Sequence, residues 1–242
     1  MVEINTRKGM PSVQLDAAEF KQRFLARFDD PAFQPLQKEL GRIADAAWDG
    51  YKNYRKAPHT VKAGHGFADP DYDLSVEWLE TSKAVAAAER RQKDPTTPSR
   101  ILIVNGSTRS EHTCPGEMSK TFRMVSIARD IVAGTHGFEV EVLDLSRLAS
   151  EYGRMIYPCK ACVSTAEPLC HWPCSCYPNH AIGQTGDWMS EIYPMWAAAH
   201  GVMIVCPVNW YQAPSSLKLM IDRLVVPTAA TRIHPQLMAR MP

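Results

Sequence analysis

No run of apolar residues in this chain of 242 is long enough to span a bilayer, and Met1 to Lys21 lacks the apolar core of a signal peptide. Both absences lead to the expectation of a cytoplasmic protein with no membrane partner. Charge of one sign is lacking too: 27 Lys and Arg stand against 26 Asp and Glu, for a net charge of +1. Such a surface offers no broad attraction to nucleic acid or to acidic lipid. There is no internal repeat and no extended low-complexity segment. Two nucleotide signatures are missing as well. Ser119 stands where a mononucleotide P-loop needs glycine before Lys120-Thr121, and Gly106 lacks the further glycines of a G-x-G-x-x-G turn. In a reducing compartment the seven cysteines read as metal ligands, redox groups or buried thiols rather than as a disulfide frame.

What is present divides near residue 98. Residues from about Asp16 to Arg91 carry helical spacing: Phe20, Phe24 and Phe28 recur every four residues, then Leu36, Leu40, Ile43, Ala47, Tyr51 and Tyr54 continue after the Asp29-Asp30-Pro31 break. Lys56 to Asp71, with Pro58, Gly64, Gly66 and Pro70, reads as a loop, and a third helix is predicted from Asp73 to Gln92. Asp94 to Pro98 is a linker. The expected domains are therefore a helical N-terminal extension, 1–98, and an α/β domain, 99–242.

From Arg100 the pattern changes. Ile101-Leu102-Ile103-Val104 is a continuous apolar run, as expected of a strand covered on both faces. A helix follows from about Glu117 to Ala133, then an alternating strand, Glu139 to Leu145. This order predicts a parallel pair with a right-handed crossover. A helix from about Asp187 to His200 precedes a third strand, Val202 to Cys206, and Ser215 can cap a final helix carrying Leu217, Met220, Ile221 and Leu224.

Chemistry concentrates where the strands end. The first runs into Asn105-Gly106-Ser107-Thr108-Arg109. A loop between a buried strand and a helix start presents backbone N–H groups and partial positive charge to an anion. Ser107, Thr108 and Ser119 add hydroxyls, and Arg109 adds a guanidinium fork suited to phosphate oxygens. A plain turn with a solvated arginine explains the same residues about as well. The aromatic loop after the third strand, Pro207-Val208-Asn209-Trp210-Tyr211-Gln212, favours binding, because it supplies backbone groups and rings for a flat ligand. Together the two loops suit a phosphorylated planar cofactor, FMN above all.

These residues resemble the NADPH-dependent FMN reductase family of the flavodoxin-like superfamily. The likeness rests on Gly106-Ser107-Thr108-Arg109, Ser119-Lys120-Thr121, Pro158-Cys159-Lys160-Ala161-Cys162, Pro207 to Tyr211, and Ser215 with Leu217-Lys218 and Ile221-Asp222-Arg223-Leu224, across roughly Arg100 to Val226. It implies a flavodoxin-like doubly wound parallel sheet. It also implies an FMN phosphate held by Ser107, Thr108, Arg109, Ser119 and Thr121 with Lys120 nearby, and a ring lying against Pro207 to Gln212. The implied activity is hydride transfer from NAD(P)H to flavin and on to a flavin, quinone or similar small-molecule acceptor. No side-chain acid or base is required, so no catalytic residue is assigned. Family members often pair, which implies a homo-oligomer.

Cys159, Cys162, Cys170, Cys174 and Cys176 lie within a short segment and are candidate ligands for zinc or an iron–sulfur cluster. The resemblance extends to iron–sulfur flavoproteins, but the spacing fits no single metal site, and a metal-free loop of buried thiols remains an equal reading. An electron carrier with a cluster, or a metal-stabilised binding module without flavin, are the alternatives to the reductase. A flavodoxin-like sheet has five parallel strands in the order 2-1-3-4-5, and only three are legible. After Leu224, Val225 to Pro242 holds three prolines and no strand pattern. The expectation is a sheet truncated after its third strand, with that strand at an edge, or one whose missing surface is supplied by a partner or covered by the N-terminal helices. Weak flavin retention and a tendency to associate would follow.

Overall fold

The computed structural model describes residues 15–53, 59–65, 70–71, 73–110, 117–159, 174, 177 and 183–224. Contacts divide the chain into two units, Met1–Pro58 with Asn179–Thr185, and His59–Pro178 with Gly186–Pro242.

The first unit is built on aromatic packing. Helix α1 (Ala17–Leu25) starts at Asp16, whose carboxylate accepts from the Glu19 N–H at 2.8 Å. A 3-10 turn, Ala26–Phe28, extends the row, so Phe20, Phe24 and Phe28 still follow one another at ring separations of 6.1 and 5.7 Å. Asp30 then caps a second 3-10 segment, Pro31–Leu36, before α2 (Gln37–Lys52). Phe20 meets Trp48 and Tyr51 of α2 at 5.6 and 4.9 Å. The every-fourth-residue spacing thus marks a packed face, as its periodicity predicts.

The second unit opens with a feature the sequence reading assigns to a loop. Strands β1 (Thr60–Lys62) and β2 (Asp73–Ser75) pair antiparallel. Gly64, at φ +77°, donates its N–H to the Pro70 carbonyl at 2.9 Å, and Lys62 pairs with Asp73 at 3.0 Å. The hairpin also delays the following helix. Ser75 accepts from the Trp78 N–H at 3.3 Å, so α3 runs Val76–Gln92 rather than from Asp73. Thr81 and Val85 are its buried positions, and α3 packs along α6 (Met189–Ala198) within the same unit as the main sheet.

That sheet contains β3 (Ser99–Asn105), β4 (Phe138–Asp144) and β5 (Gly201–Val205), ordered β4-β3-β5, all parallel. Among the described residues it has these three strands, with β5 at an edge, as expected. Leu102, Ile103 and Val104 are wholly buried in the central strand. Leu102 and Val104 share a core with Leu143, with Ile192 and Tyr193 of α6, and with Leu217 and Met220 of α7 (Ser215–Leu224). Ile103 points to the other face, which receives α4 (Lys120–Ala133) and its buried Val125. Helix α4 begins three residues later than its apolar pattern suggests, because Ser119 caps it and accepts from the Phe122 N–H at 3.4 Å. A short helix, α5 (Arg147–Ser150), follows β4. Ser215, expected to cap α7 from outside, is its first residue.

Arg100 secures the amino end of the sheet. Its guanidinium is buried and donates to the Ala198 carbonyl at 3.1 Å and to Glu139 at 2.9 Å. A second buried arginine, Arg223 on α7, lies 2.7 Å from Asp187, donates to the Tyr157 carbonyl at 2.7 Å, and sits 4.8 Å over the Tyr177 ring. Tyr177 stacks on Tyr157 and donates its hydroxyl to the Pro158 carbonyl. Tyr157 and Tyr177 flank the cysteine segment, so one arginine fastens both ends of that segment to the core.

Candidate functional site

Parallel pairing sends the loops after β3 and β5 out of the same end of the sheet. Asn105 is in register with Val205, and the Gly106 N–H donates to the Val205 carbonyl at 2.8 Å, carrying the ladder one step into the loops. A Cβ on Gly106 would lie 2.8 Å from the Cys206 Cβ and 2.9 Å from Leu217 Cδ2. Glycine is needed here for close approach, since its φ is not positive. Ser216 of α7 donates to the Gly106 carbonyl at 3.4 Å, fixing the final helix against the same turn.

The first loop is organised by a buried pair that the sequence reading missed. Asn105 is fully buried and donates Nδ2–H to Asp144 at 2.7 Å, while its own Oδ1 accepts from the Ser107 N–H at 3.2 Å. The same Asp144 oxygen accepts from the Ser146 N–H at 3.0 Å. Ser107 is buried and accepts from the Arg109 N–H at 3.0 Å. Ser119 is buried as well, engaged as the cap of α4. A hydroxyl that accepts a backbone N–H keeps its own O–H to donate. Ser107 and Ser119 can therefore each offer a proton to an anion without giving up their structural bonds. Thr108, Arg109 and Lys120 are exposed, and Thr121 is half-buried in the first turn of α4. Thr108 also lines a cavity of about 320 Å³ with Leu148, Ile156, Ser215 and Leu219.

The second loop is a tight turn. Asn209 and Gln212 exchange backbone hydrogen bonds, N–H to carbonyl, at 2.9 and 3.0 Å. The two residues between them, Trp210 and Tyr211, both have positive φ, 49° and 64°. That is the backbone of a type I′ turn, which favours Asn and Gly. Placing two aromatic residues there costs roughly 1–2 kcal/mol each. Their side chains are 94% and 97% exposed. Large rings held out at a strained corner gain nothing from core packing, and strain of this kind concentrates at ligand sites. Val208, Asn209 and Gln212 are exposed beside them, and Pro207 is half-buried.

These residues fit a flavin phosphate and ring. Hydroxyl donors, an exposed guanidinium and the start of α4 lie on one strand end; exposed rings and backbone polar groups lie on its neighbour. For the metal candidates, Cys159 and Cys174 are half-buried, while Cys162, Cys170 and Cys176 lie outside the described residues. Among the described residues no group of three or more potential ligands comes together. No helix among them is long and apolar enough to cross a membrane.

The family model for NADPH-dependent FMN reductase matches residues 99–238, more than half of the chain. No curated protein and no solved structure matches. The matched span begins at the first residue of β3 and contains both strand-end loops and α7, and on that match the chain belongs to the NADPH-dependent FMN reductase family.

Proposed function

We propose that this protein is an FMN-dependent NAD(P)H oxidoreductase that passes reducing equivalents to a flavin, quinone or similar small acceptor. The observation that carries the reading is the adjacency of the two loops at one end of the β3–β5 pair, joined by the Gly106–Val205 hydrogen bond. Ser107, Ser119, Thr121 and the α4 N-terminus would hold the phosphate, with Arg109 and Lys120 supplying positive charge. Trp210 and Tyr211 would flank the ring, and the backbone of Pro207 to Gln212 would read its polar edge. FMN, when bound, supplies the redox chemistry. The chain's part is to orient it, to limit water on one side, and to leave the other side open to the nicotinamide and the acceptor.

An absorption spectrum of anaerobically purified protein, reconstituted with FMN and titrated with NADPH, tests this. Flavin bands that bleach with NADPH and recover with an added quinone support the reading. A brown shoulder bleached only by dithionite would assign the redox role to the cysteine segment instead. A protein that leaves FMN free under all conditions would overturn it.

A further inference from the structure

Residues after β4 and the start of α7 enclose a cavity of about 320 Å³, apart from the proposed flavin contacts. Among the described residues, its wall includes none of Ser107, Arg109 and Ser119 and nothing from Pro207 to Gln212. Leu148, Ile156 and Leu219 give it an apolar body, and Thr108, Ser215 and the Arg154 guanidinium give it polar corners. The size is at the small end for ligand pockets, about 300–1,000 Å³, so it suits one flat ring and a sugar rather than a whole dinucleotide. Arg154 is fixed in this wall. Its Nε donates to Glu151 at 3.0 Å, its Nη1 donates to Glu191 at 2.6 Å, and its guanidinium lies 5.0 Å from the centre of the Trp188 ring. Trp188 in turn donates Nε1–H to Glu191 at 3.1 Å and its backbone N–H to the Met155 carbonyl at 2.8 Å. Arg147 also pairs with Glu151, so the two glutamates are matched by two arginines. Among the described residues Nη2 of Arg154 has no partner, and its two N–H groups remain to donate. A fixed guanidinium with spare donors suits a phosphate, and the first turn of α7 adds partial positive charge.

We propose that this cavity takes the adenosine 2′-phosphate end of NADPH and that Arg154 selects NADPH over NADH, which rests on the oxidoreductase function proposed above. Position favours it. Ser215 lies three residues beyond Gln212, so at most about 11 Å of chain separates the ring loop from the cavity wall. A dinucleotide with its nicotinamide on the flavin ring beside Trp210 and Tyr211 can extend over that distance along the start of α7. Adenine would lie against Leu148, Ile156 and Leu219, with the ribose near the Thr108 and Ser215 hydroxyls. The 2′-phosphate would then accept from Arg154 Nη2. NADH carries a hydroxyl at that place and leaves those donors to water.

The test is calorimetric titration of 2′,5′-ADP, ADP and 3′,5′-ADP (the corresponding end of coenzyme A) into the purified full chain, with FMN binding measured separately by fluorescence. 2′,5′-ADP is expected to bind at least about tenfold tighter than the other two, as for a hydrogen bond to a charged group. Arg154→Gln is expected to abolish that preference. It should also lower the ratio of kcat/KM for NADPH to that for NADH by about tenfold to a hundredfold, with Arg154→Lys restoring part of it. Ala149→Trp, at an exposed position on the wall, fills the cavity and is expected to weaken all three nucleotides. These variants are expected to keep native far-ultraviolet circular dichroism and unchanged FMN affinity. A chain to which 2′,5′-ADP does not bind overturns the proposal. So does 2′,5′-ADP bound no tighter than ADP or 3′,5′-ADP, and so does binding that the Arg154→Gln and Ala149→Trp substitutions leave unaffected. A chain that binds FMN but not 2′,5′-ADP loses this proposal alone; a chain that leaves FMN free loses the oxidoreductase function and this proposal together.

Discussion

Two parts of the α/β unit stand in opposition. At Arg223 the chain satisfies a buried charge from several sides, with Asp187, the Tyr157 carbonyl and the Tyr177 ring, and the residue is 2% exposed. At Trp210 and Tyr211 it does the reverse, holding two large rings in solvent on a strained backbone. The first arrangement gives stability and fastens the tyrosines that flank the cysteine segment. The second spends stability on display. Both stem from the stretch that follows β5, and the contrast separates what keeps the fold from what the fold presents.

The contrast can be broken most severely at Arg223. Arg223→Met leaves the Asp187 carboxylate buried without its cation, and loss of one member of a buried pair costs about 3–5 kcal/mol. Urea unfolding measures it; a loss below about 1 kcal/mol would show that the clamp carries little of the fold. Arg109→Ala should act the other way round. Unfolding should be unchanged, while FMN affinity measured by fluorescence falls about tenfold to a hundredfold, as expected when a hydrogen bond to a charged group is removed. Tyr211→Gly sharpens the comparison. Glycine relieves the left-handed strain but loosens the unfolded chain, for a net gain of about 0.5–1 kcal/mol, while flavin binding weakens. A variant that lost stability would refute strain at this corner.

The smallest effect concerns charge near the clamp. Burial pushes the Glu77 carboxyl above the ordinary carboxylate range, and the nearby Asp187 adds to that rise, against backbone hydrogen bonds that lower it. Burial likewise raises Asp187, partly offset by Arg223. A carboxyl whose pKa is raised by folding stabilises the fold while protonated, and that contribution is lost as pH rises through the folded pKa. Glu77→Gln cannot ionise. Its stability relative to the wild type should therefore increase as pH rises from below the carboxylate range to neutrality, measured by urea unfolding at a series of pH values. A difference independent of pH would contradict the assignment.

The main sheet was legible because Ile101–Val104 and the strand ending at Val205 are continuous apolar runs bounded by turn residues, and the crossover rule orders them. Helix faces were legible from period in part: Val85, Leu217 and Met220 point inward where spacing puts them, whereas Ile131 of α4, which the same spacing turns inward, is 65% exposed. Boundaries shifted where a side chain intervened, as with Ser119 at α4 and Ser75 at α3. The β1–β2 hairpin was hidden because each strand is three residues long and is held by pairing across the chain rather than by local preference. The organiser of the first loop was hidden for a similar reason, since Asn105 and Asp144 sit on different strands and nothing local links them. Trp210 and Tyr211 were recognised as candidate ring contacts, but their left-handed backbone runs against their own preference and leaves no mark in composition.

The most direct test of the central claim is to titrate FMN and riboflavin side by side into the purified chain and into its Arg109→Ala and Trp210→Ala variants, following flavin fluorescence. A single pocket formed by both loops predicts saturable FMN binding weakened by either substitution, and riboflavin binding that is weaker, sensitive to Trp210→Ala and indifferent to Arg109→Ala. FMN and riboflavin bound equally well, with neither substitution having an effect, would contradict it.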